Sequence, residues 1–220
     1  MDKNAIITTI KEQGLLPLYY NDNPEVCVQV ARALYRAGVR CIEFTNRGPQ
    51  ALPNFEALVN ERANMPGLLL GVGTIAIAEE AEAFTKAGAD FLVSPFFDEG
   101  VSRFASDNNI LWMPGCMTPT EIHTARLAGC SAIKLFPGNV LQPGFLQAIK
   151  PLFKGLDFMV TGGVQATEES LAAWLGSGAA AVGMGSNLIT AAVTTTGDYV
   201  TLEANTTTVL GLINTIKSKN

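Results

Sequence analysis

Lys134 lies alone in an otherwise apolar segment, residues 131–138, which reads SAIKLFPG. Burial disfavours the charged ammonium form of a lysine, and an uncharged amine is a nucleophile toward carbonyl carbon. The simpler alternative is a lysine that points outward from a sheet, because lysine is seldom fully buried. The neighbouring segments have to decide between these two interpretations.

A second ionisable residue, Glu43, lies in the apolar segment 41–45. Side chains alternate along a strand, so the bulky Ile42 and Phe44 share one face and Glu43 lies on the other. We expect the two bulky side chains to pack beneath helices and Glu43 to point into the interior, where an unpaired carboxylate is costly. The same alternation turns Lys134 inward. A purely structural ion pair is the alternative to a catalytic one.

The elements that position these residues follow a repeat. A helix end, a glycine and a strand recur at intervals of roughly 40 to 50 residues, the length of two βα units. The four glycines are Gly38, Gly88, Gly129 and Gly178. Each is placed to end a helix in a left-handed conformation. Four further short apolar segments raise the number of strand candidates to eight; they are 15–20, 68–72, 111–113 and 158–160.

Amphipathic stretches separate these strands, as expected for helices. They are residues 25–37, 51–63, 76–87, 120–128 and 167–175. Eight nearly continuous apolar strands that alternate with helices predict an α/β protein, a (βα)8 TIM barrel with residues 1–220 in one domain. A last helix is predicted over 199–219, starting at Asp198, and residues 191–198 are predicted to be a loop.

Composition narrows the function. The 220 residues suit one barrel, and a hydrophobic share of 48% allows a large core. A net charge of -5 argues against a nucleic-acid or anionic-lipid partner and favours a small ligand that is held locally. No apolar run approaches a membrane span and the first residues do not resemble a signal peptide, so we expect a cytoplasmic protein without membrane contact.

Metal and redox chemistry are not indicated. The four cysteines are widely spaced, without a C-x-x-C pair, which favours reduced core thiols over disulfides or zinc ligands. They are Cys27, Cys41, Cys116 and Cys130. His123 is the only histidine and cannot belong to a multi-histidine site. We therefore expect no metal and no cofactor, a surface or capping role for His123, and a packing role for Cys116.

The carboxyl ends of the strands carry groups suited to anions, and barrel enzymes bear their sites on this face. Arg47 can bind a carboxylate or phosphate through two parallel hydrogen bonds. Glycine-containing turns follow three strands, at 71–74, 161–163 and 183–186. Their backbone N–H groups can approach an anion closely, and the last two turns occupy the usual phosphate-binding position of such barrels. Together with the inward Lys134 and Glu43, these groups favour catalysis.

With these residues in place, the chain resembles the class I 2-keto-3-deoxy-6-phosphogluconate (KDPG) and 4-hydroxy-2-oxoglutarate (KHG) aldolases over nearly its whole length. The segments that carry the resemblance are Pro17, 42–45 with Arg47, 71–74, 94–95, 114–115 with Thr118, 133–137, 161–163 and 185–186. The resemblance implies a homotrimeric barrel whose lysine forms a Schiff base with pyruvate, and a small 2-keto acid as substrate.

The resemblance also implies roles for individual residues. Lys134 matches the imine-forming lysine and Glu43 the general acid/base. Arg47 and Thr74 match the site of the substrate carboxylate. The residues that we assign to the phosphate site are Thr161, Gly162, Gly163, Gly185 and Ser186. Those that we assign to the pocket wall are Pro95, Thr118 and Phe136.

The chain departs from the family pattern on the rim that would hold the far end of the substrate. Bulky or altered residues occur at 19–20 (both tyrosine), 96–97 (both phenylalanine), Asn139 and Met184. KDPG is the expected substrate because the phosphate-binding pattern is kept. KHG, or a galacto-configured or unphosphorylated analogue, remains the alternative. Two other classes also stay open, namely a phosphosugar isomerase or epimerase and a keto-acid binding protein without turnover.

Overall fold

The computed structural model describes residues 2–219. Within them, nine strands form one parallel sheet. The strands are β1 (Leu15–Tyr19), β2 (Cys41–Thr45), β3 (Leu69–Gly73), β4 (Phe91–Val93), β5 (Leu111–Met113), β6 (Gly115–Cys116), β7 (Ala132–Leu135), β8 (Asp157–Thr161) and β9 (Ala181–Met184). Their order across the sheet is β5-β4-β3-β2-β1-β9-β8-β7-β6.

The barrel closes through a strand that proline interrupts. β5 pairs with β4, and β6 pairs with β7. A single residue, Pro114, separates β5 from β6, and its carbonyl accepts a hydrogen bond of 2.9 Å from the backbone N–H of Lys134. Because proline has no N–H to donate to a neighbouring strand, the ladder breaks at this residue. β5 and β6 are thus the two halves of the fifth strand, and the predicted (βα)8 barrel is confirmed.

The described part of the chain contains ten α-helices. They are α1 (Lys3–Gln13), α2 (Pro24–Arg36), α3 (Ala51–Glu61), α4 (Ala78–Lys86), α5 (Glu99–Asp107), α6 (Pro119–Leu127), α7 (Gly138–Ile149, kinked at Gln142), α8 (Glu168–Gly176), α9 (Ala191–Thr196) and α10 (Tyr199–Ser218). Short 3-10 turns follow α3 and α7, at Arg62–Asn64 and Lys150–Leu152. No helix within residues 2–219 is both long and apolar enough to cross a bilayer.

The prediction of a loop over 191–198 is wrong, because α9 occupies most of it. The Thr190 side chain caps this helix by accepting a hydrogen bond from the N–H of Val193, and Gly197 ends it in a left-handed conformation at φ 72°. These end signals outweigh the low helix propensity of three consecutive threonines. The predicted start of the last helix is confirmed, since the Asp198 side chain accepts from the N–H of Thr201.

The strands separate two hydrophobic clusters, as their alternation predicts. The cluster between barrel and helices contains Ile42 and Phe44. The cluster inside the barrel contains Cys41 and Ala132, together with three isoleucines of α1. These isoleucines are Ile6, Ile7 and Ile10. Since α1 precedes β1 and its side chains fill the amino-terminal part of the barrel, a ligand has to enter from the carboxyl ends of the strands.

Candidate active site

Lys134 and Glu43 meet inside the barrel. The Lys134 Nζ lies 3.7 Å from Glu43 Oε1, and the two residues are 5% and 0% exposed. Both carboxylate oxygens of Glu43 are buried without a hydrogen-bond partner in residues 2–219. The Lys134 ammonium therefore supplies the compensation that a buried carboxylate requires. An amine and a carboxyl group in this arrangement can together attack a carbonyl and move a proton at the adduct.

Gly73 provides the space that Glu43 occupies. A β-carbon at residue 73 would overlap the Glu43 carboxylate. In the register of β2 and β3, Gly73 pairs with Thr45 and Gly71 pairs with Glu43. The interpretation from sequence treated these glycines as turn residues near an anion, and it missed this steric role. The available signal was a glycine on an inward position of β3 beside a strand with an inward carboxylate.

The two residues expected to bind the substrate carboxylate lie on adjoining loops. Arg47 is exposed in the loop after β2, and Thr74 directly follows β3. The backbone N–H of Asn46 donates a 2.8 Å hydrogen bond to the carbonyl of Gly73, which connects the two loops beside these residues. Thr74 has φ 63°, a conformation that is unfavourable for a β-branched residue. Such strain is often concentrated at binding and catalytic sites.

The predicted phosphate-binding residues divide into an inner and an outer group. Thr161 is 7% exposed, and its Oγ1 is buried in the barrel without a hydrogen-bond partner within the described residues. Gly162 and Gly163 follow it with φ 105° and 76°, conformations that favour glycine. Gly185 is half-buried and Ser186 is exposed. The structure thus places the Thr161 hydroxyl deeper than the glycines and Ser186.

Asn187 joins the two glycine-containing loops, and the sequence analysis missed it. Its Nδ2 donates a 2.8 Å hydrogen bond to the carbonyl of Val164. Val164 follows Gly163, and Asn187 follows Ser186, so this bond sets the spacing of the two loops that an anion would contact. Asparagine is common in loops, and its separation of 23 residues from its partner gave no local signal.

The three residues assigned to the pocket wall differ in their surroundings. The Phe136 ring centroid lies 5.2 Å from Lys134 Nζ, close enough for a cation–π contact. Pro95 is half-buried at the end of β4, and its carbonyl leaves no room for a side chain at Gly115. Thr118 is exposed and caps α6 by accepting a hydrogen bond from the N–H of Glu121.

The residues that we set aside lie away from this centre. His123 is exposed on α6, and its Nδ1 is 3.3 Å from Arg126 Nη2. Cys116 packs in the outer cluster, where burial raises the pKa of its thiol to about 12. Within residues 2–219, no three His, Cys, Asp or Glu side chains are grouped to hold a metal ion.

A family model for "KDPG and KHG aldolase" matches residues 6–205. The chain belongs to the KDPG and KHG aldolase family. The similarity spans the strands that carry Glu43 and Lys134 and includes the loops described above. The chain is therefore a class I aldolase, a carbon–carbon lyase of the aldehyde-lyase type, as the sequence resemblance implied.

Individual relatives agree with this membership. The chain is 32% identical over 178 residues to a probable 2-dehydro-3-deoxy-6-phosphogalactonate aldolase of Rhizobium meliloti, covering 80% of this chain and 82% of the relative. It is 34% identical over 164 residues to a 2-dehydro-3-deoxy-phosphogluconate aldolase of Pseudomonas aeruginosa, covering 74% and 73%. The crystal structure of the 4-hydroxy-2-oxoglutarate/2-dehydro-3-deoxyphosphogluconate aldolase from TTHB1 superposes with a TM-score of 0.83 at 34% identity, covering 97% and 99%.

Proposed function

We propose that this aldolase cleaves KDPG to pyruvate and glyceraldehyde 3-phosphate, with Lys134 as the Schiff-base residue. The observation that carries the proposal is the 3.7 Å separation of Lys134 Nζ and Glu43 Oε1 inside a barrel that opens at its carboxyl end. The relatives named above act on phosphorylated 2-keto-3-deoxy acids or on KHG, in agreement with this choice.

The reaction follows from these groups. Glu43 takes a proton from the Lys134 ammonium, and the resulting uncharged amine attacks C2 of the 4-hydroxy-2-keto acid. Glu43 then returns this proton to the adduct, whose C2 hydroxyl leaves as water, and a protonated imine that accepts electrons is formed. Glu43, directly or through a water molecule, takes the proton of the C4 hydroxyl as the C3–C4 bond breaks. The aldehyde leaves, and the electron pair of the broken bond forms an enamine. Glu43 then helps to return a proton to the enamine carbon, and hydrolysis of the imine releases pyruvate and restores the amine.

Arg47 and Thr74 bind the carboxylate of the keto acid in this proposal. A carboxylate held at the adjoining loops after β2 and β3 would place C2 toward the barrel axis, within reach of Lys134. Positioning of this kind can lower a barrier by several kcal/mol. The loops with Gly162, Gly163, Gly185 and Ser186 offer backbone N–H groups to the phosphate. Thr161 offers a hydroxyl that has no hydrogen-bond partner within residues 2–219 to a polar group of the bound substrate.

Borohydride reduction in the presence of pyruvate tests the assignment of Lys134. We expect a stable adduct whose mass shift maps to Lys134, and no adduct in Lys134→Met. Lys150→Met, a change at an exposed lysine, is the matched control and should leave the adduct unchanged. An unmodified Lys134 would contradict the proposal. Activity that survives reduction would favour an isomerase or epimerase, and tight ligand binding without turnover would favour a binding protein.

Substrate choice requires a second assay. We expect KDPG to be cleaved with a higher kcat/KM than its unphosphorylated analogue and than KHG, because only KDPG has a phosphate for the two glycine-containing loops. The galacto epimer at C4 belongs in the same series, since one of the relatives is named for it. Equal kcat/KM for phosphorylated and unphosphorylated acids would contradict the phosphate assignment.

We further propose that the chain is one domain and assembles as a homotrimer in the cytoplasm. Exposed apolar side chains on loops at the carboxyl end of the barrel support an assembly; they are Ile77, Phe96 and Met117, which are 49%, 51% and 40% exposed. The four cysteines are free thiols, which suits a reducing compartment. Light scattering should give three times the 23.3 kDa of one chain. Cell fractionation should recover the protein with the cytoplasm.

A further inference from the structure

Tyr20, immediately after β1, lies against the loop that carries Arg47. A β-carbon at Gly48 would overlap the hydroxyl and the ring of Tyr20, which places the tyrosine directly on the backbone next to Arg47. On its inner side, the Tyr20 ring lies 5.8 Å from the Phe44 ring, centroid to centroid. Tyr20 therefore bridges the outer core and the outer surface of the 46–50 loop.

The Tyr20 hydroxyl is itself held in place. It donates a hydrogen bond to the carboxylate of Asp22. This hydrogen bond raises the pKa of the Tyr20 hydroxyl, and an interaction with the backbone of Gln50 acts in the opposite direction. The hydroxyl is thus held by the carboxylate of Asp22, two residues further along the chain.

The loop of Asp22 is anchored to the helix that follows Arg47. Asn54, in the first half of α3, is 2% exposed, and its Nδ2 donates to the backbone carbonyls of Asn21 and Asp22 at 2.9 and 3.0 Å. A buried amide with two such bonds is a rigid anchor, because breaking them would leave polar groups unpaired. Tyr20, which contacts the 46–50 loop, therefore lies on a segment that Asn54 holds rigidly.

The side chain of Arg47 is exposed, so the position of its guanidinium depends on how firmly the 46–50 loop is held. A long exposed side chain loses conformational entropy when it binds a ligand, and a poorly held loop would increase that cost. On the other side, the loop is held by the bond from Asn46 to Gly73. The loop is thus held between Gly73 on one side and Tyr20 on the other.

We propose that Tyr20 is a positioning residue for Arg47, which keeps the guanidinium where it meets the carboxylate of the 2-keto acid. The inference rests on the proposed function, since it takes Arg47 as the carboxylate-binding residue. It assigns a role to one of the aromatic residues by which the chain departs from the family pattern.

Tyr20→Phe tests the hydroxyl, and Tyr19→Phe is its matched control. The Tyr19 hydroxyl donates a buried 2.7 Å hydrogen bond to the carbonyl of Cys27, beneath α2. We expect Tyr20→Phe to raise KM for the keto acid about tenfold, the factor for loss of one hydrogen bond, with kcat within about twofold. Tyr19→Phe should lower Tm and leave KM unchanged. Equal KM values in the two variants would overturn the proposal.

Two further variants separate positioning from a general loss of structure. Asp22→Ala leaves the tyrosine intact but removes the acceptor of its hydroxyl, so we expect the same rise in KM. In an Arg47→Ala background, Tyr20→Phe should raise KM no further, because residues that act as one unit are not additive. An additional rise of the full size in that background would show that Tyr20 does not act through Arg47.

Tryptic cleavage after Arg47 gives a readout that does not depend on activity. Arg47 is exposed and is followed by glycine, so loosening of the loop should accelerate cleavage at this bond. We expect faster cleavage in Tyr20→Phe than in the wild type and in Tyr19→Phe. An unchanged rate would overturn the positioning role even if pyruvate is trapped on Lys134. Failure to trap pyruvate in the wild type would instead contradict the proposed function.

Discussion

The buried pair of Lys134 and Glu43 predicts a characteristic pattern of stabilities. Lys134→Met removes the charge that faces Glu43, whose carboxylate oxygens are buried without a hydrogen bond within residues 2–219. Glu43→Gln in the same chain then removes the remaining charge and keeps the shape of the side chain. The single lysine variant should be strongly destabilised, and the double variant should recover part of the loss.

The separation and burial of the pair set the size of the expected loss of stability in Lys134→Met. At roughly 4 Å and an effective dielectric constant of about 20, two unit charges interact by about 4 kcal/mol. Removing one partner of a buried pair typically costs about 3–5 kcal/mol, because the other charge stays buried and unpaired. For a chain of this size, each kcal/mol changes Tm by about 2–4 °C. Lys134→Met should therefore lower Tm by about 6–20 °C.

Urea unfolding and thermal unfolding at pH 7 measure the effect. We expect Lys134→Met/Glu43→Gln to regain about half of the lost free energy of unfolding, since a buried neutral amide costs less than a buried charge but still lacks partners. All of these variants should be inactive as aldolases, which separates stability from catalysis. A Lys134→Met protein as stable as the wild type, with an unchanged m-value, would refute the reasoning that the two groups compensate one another in the interior.

Three other predictions follow from the site. Gly73→Ala should lower kcat about 10²-fold, because its β-carbon forces the Glu43 carboxylate to move by about an ångström. In Glu43→Gln, the same change should have little further effect on kcat, and a full additional loss would show that Gly73 does not act through Glu43. Burial raises the pKa of Cys116 from 9.0 to about 12, so the thiol should resist alkylation at pH 9 in the folded protein and react once the protein is unfolded. The contribution of this thiol to stability should be complete below pH 9 and be lost as the pH rises toward 12. Asn187→Ala should raise KM for KDPG about tenfold but leave KM for the unphosphorylated acid unchanged, and an equal rise for both would show that the loop contact does not serve phosphate.

Local periodicity was sufficient to assign the faces of the strands. The alternation in 41–45 predicted that Ile42 and Phe44 face the helices and that Glu43 faces inward, and the two hydrophobic clusters confirm it. The start of the last helix was readable for the same reason, since the Asp198 side chain bonds to a backbone N–H only three residues away, whereas the equally local Thr190 cap of α9 was missed. Signals of this kind depend only on neighbours along the chain, so they can be recognised without knowledge of the fold.

Contacts between distant segments required the tertiary structure. Gly73, on another strand, provides the space for Glu43, and a bond between Asn187 and Val164 sets the spacing of the glycine loops. The third such contact is that of Tyr20 with Gly48, next to Arg47. Closure of the barrel decides all three, because it sets strand register and the approach of loops that lie 20 to 30 residues apart in sequence. The sequence by itself determined which side chains face the interior; how closely they meet there was decided by strand pairing around the closed barrel, which no local pattern encodes.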